Sequence, residues 1–219
     1  MQNLTLMFFS AFAFLISCNS KKSVEVSNKT KDTFNTFIRE IPRYKDGPSK
    51  DDTSYLFMAI REDERKLGLQ NLENGYDSLE IRIWLGHSLA IKRNIVIIQR
   101  HGNNWNGRLV TFTKTGLENL HGKFKTEVKE MTPKSGWDCF IRNLLLSRLT
   151  TLPDANDIIG YTSCGEDGLP YYFEIATRDT YRFLAYCNID DNVEKFGEAR
   201  YVADISRLVE KEFVFEFTK

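Results

Sequence analysis

The chain has 219 residues, with 30 acidic and 30 basic residues and a formal net charge of zero. This balance excludes the strong positive field of most nucleic-acid-binding proteins, so no nucleic-acid partner is expected. Apolar residues make up 42% and aromatic residues 13% of the sequence, which suffices for a buried core and argues against a disordered chain. The length suits one domain or two small ones.

An apolar run without charged residues lies close to the N-terminus and ends at a cysteine. It extends from Leu6 to Ile16 with Ser10 as its only polar residue, which is far shorter than the roughly 20 residues that span a bilayer. Such a length is typical of a secretory signal peptide. The segment Leu15-Ile16-Ser17-Cys18 resembles the lipobox of bacterial lipoproteins. The resemblance implies that residues 1–17 are a signal peptide and that Cys18 becomes a lipid-bearing N-terminus that carries palmitate.

The residues after Cys18 predict a tether and a location. Residues 19–31 are polar and contain no aromatic residue, so residues 18–31 are predicted to link the lipid to the domain. The overall usage of Asn, Lys and aromatic residues resembles that of envelope lipoproteins of the Bacteroidetes type. In that group, acidic residues just after the cysteine accompany surface export, whereas Asn19-Ser20-Lys21-Lys22 is basic here. The resemblance therefore implies a membrane anchor that faces the periplasm.

Residues 32–219 are predicted to form a single α+β domain. Hydrophobic periodicity and helix-breaking residues predict helices at 34–41, 54–67, 136–149 and 198–213. Alternating or β-branched segments predict strands at 79–85, 91–100, 108–114, 158–164, 171–177, 181–187 and 213–217, and either a strand or a short helix at 123–131. Short connections favour an antiparallel meander, followed by a hairpin around Arg178-Asp179. The expected fold is a mainly antiparallel sheet, a meander plus a hairpin, packed by two to four helices.

The same patterns predict which helix faces are buried. The first helix is assigned because Phe34, Phe37, Ile38 and Ile41 follow a helical spacing. In the second helix, the residues Tyr55, Met58 and Leu67 share one stripe, and the charged residues between Arg61 and Lys66 supply a solvated face. The strand at 79–85 is predicted to be half-buried, since its apolar residues alternate with Glu80, Arg82 and Trp84.

Three cysteines follow Cys18, namely Cys139, Cys164 and Cys187. An odd number allows at most one internal disulfide among them. If the strands that end at Cys164 and Cys187 flank a third strand on opposite sides, their Cα atoms lie roughly 9–10 Å apart, beyond the limit of about 7 Å for a disulfide. Any disulfide is therefore predicted to join Cys139 to Cys164 or Cys187. The alternative is three buried, unpaired thiols.

The sequence contains none of the common catalytic or metal-binding motifs. The histidines His87, His101 and His121 lack ligand spacing, and no C-x-x-C or H-E-x-x-H segment occurs, so no metal and no cofactor is expected. The segment 86–90 departs from the G-x-S-x-G nucleophile elbow because Ala90 replaces the last glycine.

The sequence has 30 acidic residues, which supply candidates for a distant acid–base pair of the kind that glycosidases use. Glu174 lies in the aromatic hairpin and is predicted to be a cross-strand partner of Arg182 or Arg178. We therefore expect a protein that is not an enzyme. A small envelope hydrolase with an acidic pair outside any known motif is the alternative.

The most distinctive surface candidate is Trp105, which lies between Asn104 and Asn106 in a polar turn. An exposed aromatic ring beside amide groups can stack on a sugar or anchor a partner protein. Trp105, Asn104 and Asn106 are therefore the predicted contact residues, and the alternative is that Trp105 folds back as a lid on the core. The expected function is a lipid-anchored envelope protein with a binding or structural role and a protein or glycan partner. A dedicated glycan-binding module is the alternative.

Overall fold

A seven-stranded β-sheet forms the centre of the protein in its computed structural model. The structure describes residues 37–42, 53–85, 92–113, 124–146, 148–161 and 170–213. All of them belong to one compact unit, Asn35–Lys219. The strands are β1 (Ile38–Glu40), β2 (Leu79–Leu85), β3 (Lys92–His101), β4 (Asn104–Thr113), β5 (Lys125–Met131), β6 (Tyr171–Thr177) and β7 (Thr180–Tyr186).

The strand order in the sheet is β1-β7-β6-β2-β3-β4-β5. Strands β2 to β5 form an antiparallel meander, and β6 and β7 form a hairpin that pairs with β2. Only β1, which pairs with β7, runs parallel to its neighbour. The protein is therefore an α+β protein with a mainly antiparallel sheet, which confirms the predicted fold class. Residues 125–131, for which a strand and a helix were both considered, form the edge strand β5.

Helices cover both faces of the sheet. They are α1 (Tyr55–Leu67), α2 (Trp137–Leu146), the single turn α3 (Ile189–Asn192) and α4 (Gly197–Phe213), with short 3-10 helices at Leu149–Thr151 and Ala155–Asp157. On one face, Phe57 and Ile60 of α1 pack against a core that contains Ile95 and Ile97. We call this the α1 face. On the opposite face, the α4 face, α2 and α4 pack on the other set of alternating strand residues. No helix of the described residues is long and apolar enough to cross a membrane.

The predicted first helix is wrong. Residues Ile38–Glu40 form the parallel edge strand β1, and the amide of Ile38 donates to the carbonyl of Asp179 at 3.0 Å. Phe37 and Ile41 pack against the core of the α1 face. Because they are an even number of residues apart, a strand places both side chains on one face, as a helix would. The pairing of β1 with β7 therefore overrides the helical spacing of the apolar residues.

The position of α1 was predicted correctly, but its buried face was not. Tyr55 is 69% exposed and Met58 is 56% exposed, whereas two charged residues, Asp63 and Glu64, are buried with Phe57. The segment between Arg61 and Lys66 is therefore only partly a solvated face. The sheet supplies partners for the inward-facing charges, which a reading of the helix alone does not reveal.

Several other predictions lie wholly or partly outside the described residues. These are the signal peptide, the tether and Cys18, the segment 86–90, His87 and His121, the end of the predicted strand 158–164, and the predicted strand at 213–217. Residues 158–161, which are described, form a turn rather than the start of a strand.

Candidate functional site

Charged side chains of the sheet are buried beneath α1. On β2, Glu80 and Arg82 are 1% exposed and Trp84 is fully buried. The predicted half-buried strand is therefore wrong, because α1 covers the polar side of β2 while α2 and α4 cover its apolar side. Buried charges require partners, and the arrangement of these partners defines the first candidate site.

Arg82 occupies the middle of this buried charge cluster. Its Nε donates to Glu80 at 2.5 Å, and one of its Nη groups donates to Glu64 of α1. The other Nη group donates to the carbonyl of Gln70 at 2.7 Å. Glu80 also accepts a hydrogen bond from the Gln99 amide at 2.6 Å. These bonds connect polar groups of β2 and β3 to α1 and to the residues that follow it.

Glu174 on β6 is the most deeply buried carboxyl group of the cluster, with no exposed surface. It accepts hydrogen bonds from Trp84 Nε1 at 2.8 Å and from the Tyr181 hydroxyl at 2.9 Å. Arg61 of α1 forms an ion pair with the same carboxylate, and Arg82 Nη1 lies 3.9 Å from it. An indole N–H, a phenol O–H and two guanidinium groups thus converge on Glu174.

The predicted partners of Glu174 were therefore wrong. Arg182 forms an ion pair with Glu40 of β1 instead, and Arg178 contacts the carbonyl of Asp77 at 3.5 Å. Alternation explains the difference, since Arg182 is opposite Ile175 and lies on the other face from Glu174.

The most buried part of the cluster contains three carboxyl groups, Glu64, Glu80 and Glu174, but only two guanidinium groups, Arg61 and Arg82. At its edge, Glu73 lies 3.8 Å from Arg61 and is paired with Arg39, which leaves the excess of one carboxyl group unchanged. Burial, followed by the charge of Glu174, raises the pKa of Glu64 to about 9. Burial opposes ionisation of Glu174 as well, but Arg61 and Arg82 outweigh it and hold the pKa of Glu174 below its usual range. Glu64 is consequently the group that retains a proton at neutral pH, which balances the cluster.

Two carboxyl groups with pKa values shifted in opposite directions would suit acid–base catalysis. A catalytic acid must, however, touch its substrate, and Glu64 is 3% exposed while Glu174 is not exposed at all. The described structure therefore gives this pair the role of holding α1 on the sheet. Among the described residues, no group of three or more His, Cys, Asp or Glu side chains is placed to hold a metal ion.

A second polar group lies on the same face where the sheet extends beyond the buried cluster. It consists of Tyr76, Gln99, His101, Asn106 and Arg108, and we call it the polar shelf. The Tyr76 hydroxyl lies 3.1 Å from His101 Nε2, and their rings are 5.8 Å apart. Asn106 is exposed and is paired across the strands with Gln99. Unlike the charge cluster, this group is reached by solvent.

Arg108 is the cation of the polar shelf. It lies opposite Ile97 on β3 and Glu130 on β5. Its Nε is buried without a hydrogen-bond partner in the described part of the chain, and no described carboxylate lies within ion-pair distance of it. Its charge still acts on Tyr76. Burial and the charge of Glu80 raise the pKa of Tyr76 above its usual value, and the charge of Arg108 partly offsets this increase.

The three predicted contact residues are adjacent in sequence but point to opposite faces. Trp105 lies on the α4 face, packs against its core, and stacks on Trp137 with ring centroids 6.3 Å apart. The guanidinium group of Arg100 lies 5.8 Å from the same ring. Asn106, a member of the polar shelf, and Asn104, which is paired with His101, are exposed on the α1 face. The structure thus places Trp105 as a partial lid on the core.

Sequence reasoning did not identify Arg108 and Tyr76. One signal was present, since alternation from Trp105 places Asn104, Asn106 and Arg108 on one face of β4. No comparable local signal exists for Tyr76, which lies in the loop before β2 and meets His101 of β3 only in the folded protein.

The predicted disulfide of Cys139 is wrong, because Cys139 is an exposed free thiol on α2. Cys187 is buried and takes part in a disulfide, and its partner lies outside the described residues. The distance argument against a Cys164–Cys187 pair also fails in its premise. The neighbours of β6 are β7 and β2, and Tyr161 is close enough for its hydroxyl to donate to the carbonyl of Cys187 at 3.0 Å.

Alkylation of the native, unreduced protein is expected to modify Cys139 and to leave Cys187 unmodified. An exposed thiol can form the reactive thiolate, whereas a disulfide sulfur does not react with a maleimide. Peptide mass spectrometry without reduction checks both sites and identifies the partner of Cys187. Modification of Cys187 before reduction would contradict the disulfide.

The α1 face thus carries a charge cluster whose three carboxyl groups are at most 3% exposed, and the polar shelf, whose members His101 and Asn106 are exposed. The first joins α1 to β2 and β6, and the second presents an arginine beside a tyrosine–histidine pair. Comparison with known proteins gave no counterpart: no protein-family model, no curated protein and no solved structure matches the chain.

Proposed function

We propose that the protein is a lipid-anchored binding module of the bacterial cell envelope, and that the polar shelf is its contact surface. The observation that carries the binding role is Arg108, a cation that the described residues leave without a partner on a solvent-reached surface. The anchor rests on the sequence Leu15-Ile16-Ser17-Cys18, and the basic residues after Cys18 favour a domain that faces the periplasm.

The role is a binding role rather than a catalytic one. The acidic pair Glu64 and Glu174 is inaccessible to a substrate, which removes the strongest support for a hydrolase among the described residues. Trp105 is engaged by Trp137 and Arg100, so a sugar would have to displace existing contacts to stack on its ring. The polar shelf needs no such rearrangement, and Asn106 adds an exposed amide to it.

The anchor also bears on the disulfide of Cys187. A cysteine sulfur that carries a lipid cannot be part of a disulfide, so Cys18 is excluded as the partner of Cys187 in the lipidated protein. Cys139 is free and is excluded as well, so peptide mapping of the native protein has to identify the partner.

Metabolic labelling with a palmitate analogue and detergent phase partitioning test the anchor. The wild-type protein is expected to carry the label and to enter the detergent phase. The Cys18→Ser variant should lose the label and remain in the aqueous phase, while the Cys139→Ser variant should behave as wild type. An unlabelled wild-type protein, or a labelled Cys18→Ser variant, would refute the anchor.

Site-specific photo-crosslinking in the source cell tests the contact surface. A photoreactive residue at position 106 is expected to form a discrete adduct with an envelope component. The same residue at position 207, on the exposed side of α4, serves as the control and should form none. Equal adducts at both positions, or none at position 106, would reject the polar shelf as the contact surface.

A further inference from the structure

The arginines of the α1 face fall into two groups. Arg61, Arg82 and Arg93 each have carboxylate partners, which are Glu64, Glu80, Glu174 and Asp63. Arg108 has no such partner among the described residues, although it is only half-exposed and its Nε is buried. Half-buried guanidinium groups are normally paired, so the fold leaves this one charge uncompensated.

The acidic groups near Arg108 do not neutralise it. Glu80 is already bonded to Arg82 and Gln99. Glu130 is the cross-strand neighbour of Arg108 on β5 but is exposed and lies beyond ion-pair distance. The positive charge of Arg108 is therefore available to a group that approaches from solvent.

The polar shelf itself contains no carboxylate, although Glu130 lies opposite Arg108 on β5 and Glu80 is bonded to Gln99. Asn106 contributes an exposed amide, and the Tyr76 hydroxyl lies 3.1 Å from His101 Nε2. A guanidinium group beside neutral polar groups can recognise an oxoanion, because its planar N–H groups match two oxygens at once.

We propose that the polar shelf binds the oxoanion group of an envelope component, a carboxylate or a phosphate, through Arg108 with Asn106 as an auxiliary donor. Its members His101 and Asn106 are exposed, so a group carried on a larger molecule can reach the shelf. This inference rests on the proposed contact surface and specifies its chemistry. It concerns the described residues alone and is independent of the lipid anchor.

NMR titration of the full mature chain with Cys18→Ser, which removes the lipidation site, tests the proposal. The probes are inorganic phosphate for the phosphate source and glucuronate for the carboxylate source, with glucose as the uncharged control. We expect saturable shifts of the Asn106 side-chain amide and the Arg108 Nε–H signal with at least one anionic probe and none with glucose. The probe that binds more tightly identifies the source.

Two variants and a control distinguish the proposed site from nonspecific attraction. Arg108→Gln should weaken binding by about tenfold or more, since it removes a charge-assisted hydrogen bond. Asn106→Ala changes an exposed residue that cannot unfold the domain, and it should weaken binding by a smaller factor. Arg207→Gln removes an exposed arginine of α4 and should leave the affinity unchanged.

Binding that survives Arg108→Gln, or that falls equally in Arg207→Gln, would overturn the proposal, as would the absence of saturable shifts with both anions. If neither anion gives saturable shifts but position 106 still forms a crosslinked adduct, the contact surface stands and only its oxoanion chemistry is rejected. If there are neither shifts nor an adduct, the contact surface itself is rejected.

Discussion

Replacement of Arg82 with methionine is expected to destabilise the protein by about 3–5 kcal/mol, the cost of removing one partner from a buried ion pair. Methionine retains most of the length of the side chain and none of its charge. Glu80 would keep only the Gln99 amide, and Glu64 would lose one of its two arginines. The two carboxyl groups would remain buried, so their desolvation would no longer be compensated.

Urea unfolding followed by circular dichroism measures this loss. Arg207→Met is the matched control, because Arg207 forms an exposed ion pair with Asp204 at 2.8 Å on α4. Exposed pairs of this kind contribute between roughly 0 and 1 kcal/mol. If Arg82→Met and Arg207→Met unfold at similar urea concentrations, the buried charge cluster does not hold α1 to the sheet as we infer.

The elements that the sequence predicts well are those whose pattern is local. Strands β2 and β3, the hairpin of β6 and β7, and α4 each show their own periodicity or turn signal, and their bounds agree with the structure to within a few residues. The short connection between β3 and β4 forces antiparallel pairing, so the meander also follows from local information.

The buried charge cluster could not be predicted in this way. Arg61 and Glu174, which form one of its ion pairs, are 113 residues apart in the chain, and no spacing rule connects them. The charged run of α1 resembles a solvated face because charges usually face water. It turns inward here because β2 and β6 present the complementary charges at the place where α1 packs. The edge strand β1 is a similar case, since its pairing with β7 is decided by a distant segment.

The free energy of unfolding is expected to fall as the pH rises from about 5 to 9, and Glu64→Gln should remove most of this dependence. The pKa of Glu64 is raised from 4.5 to about 9 in the folded protein, so the folded state holds a proton that the unfolded state releases in this range. Below pH 4.5 both states are protonated and the stabilisation is complete, and above pH 9 it is lost. The limiting slope is about 1.4 kcal/mol per pH unit for one proton.

The groups that face Glu64 explain why a glutamine should be tolerated there. Arg61 of α1 and Arg82 of β2 pair with Glu64, and the charge of Glu174 opposes its ionisation. Glu80 lies on the other side of Arg82 and pairs with that arginine. Arg82 meets one oxygen of Glu64 and Arg61 the other. A glutamine keeps an acceptor for one arginine, and its amide N–H can donate to Glu174 as the carboxylic O–H of Glu64 does. Glu64→Gln should therefore match the wild type near pH 5 and exceed its stability near pH 8.5.

The measurement is the urea unfolding midpoint at pH 5.5, 7 and 8.5. These values are about 1.5 pH units apart, so the loss of one proton gives a measurable change in the free energy of unfolding between them. Glu62→Gln is the control on the same helix, because Arg65 holds the pKa of exposed Glu62 at about 2 and its titration lies below this range.

Glu174→Gln should behave in the opposite sense, since the pKa of Glu174 is lowered and its charge balances Arg61. It should destabilise the protein at all three pH values. A Glu64→Gln variant that is less stable than the wild type at pH 8.5 would mean that Glu64 is ionised in the fold, and the proton of the cluster would then have to reside on another carboxyl group.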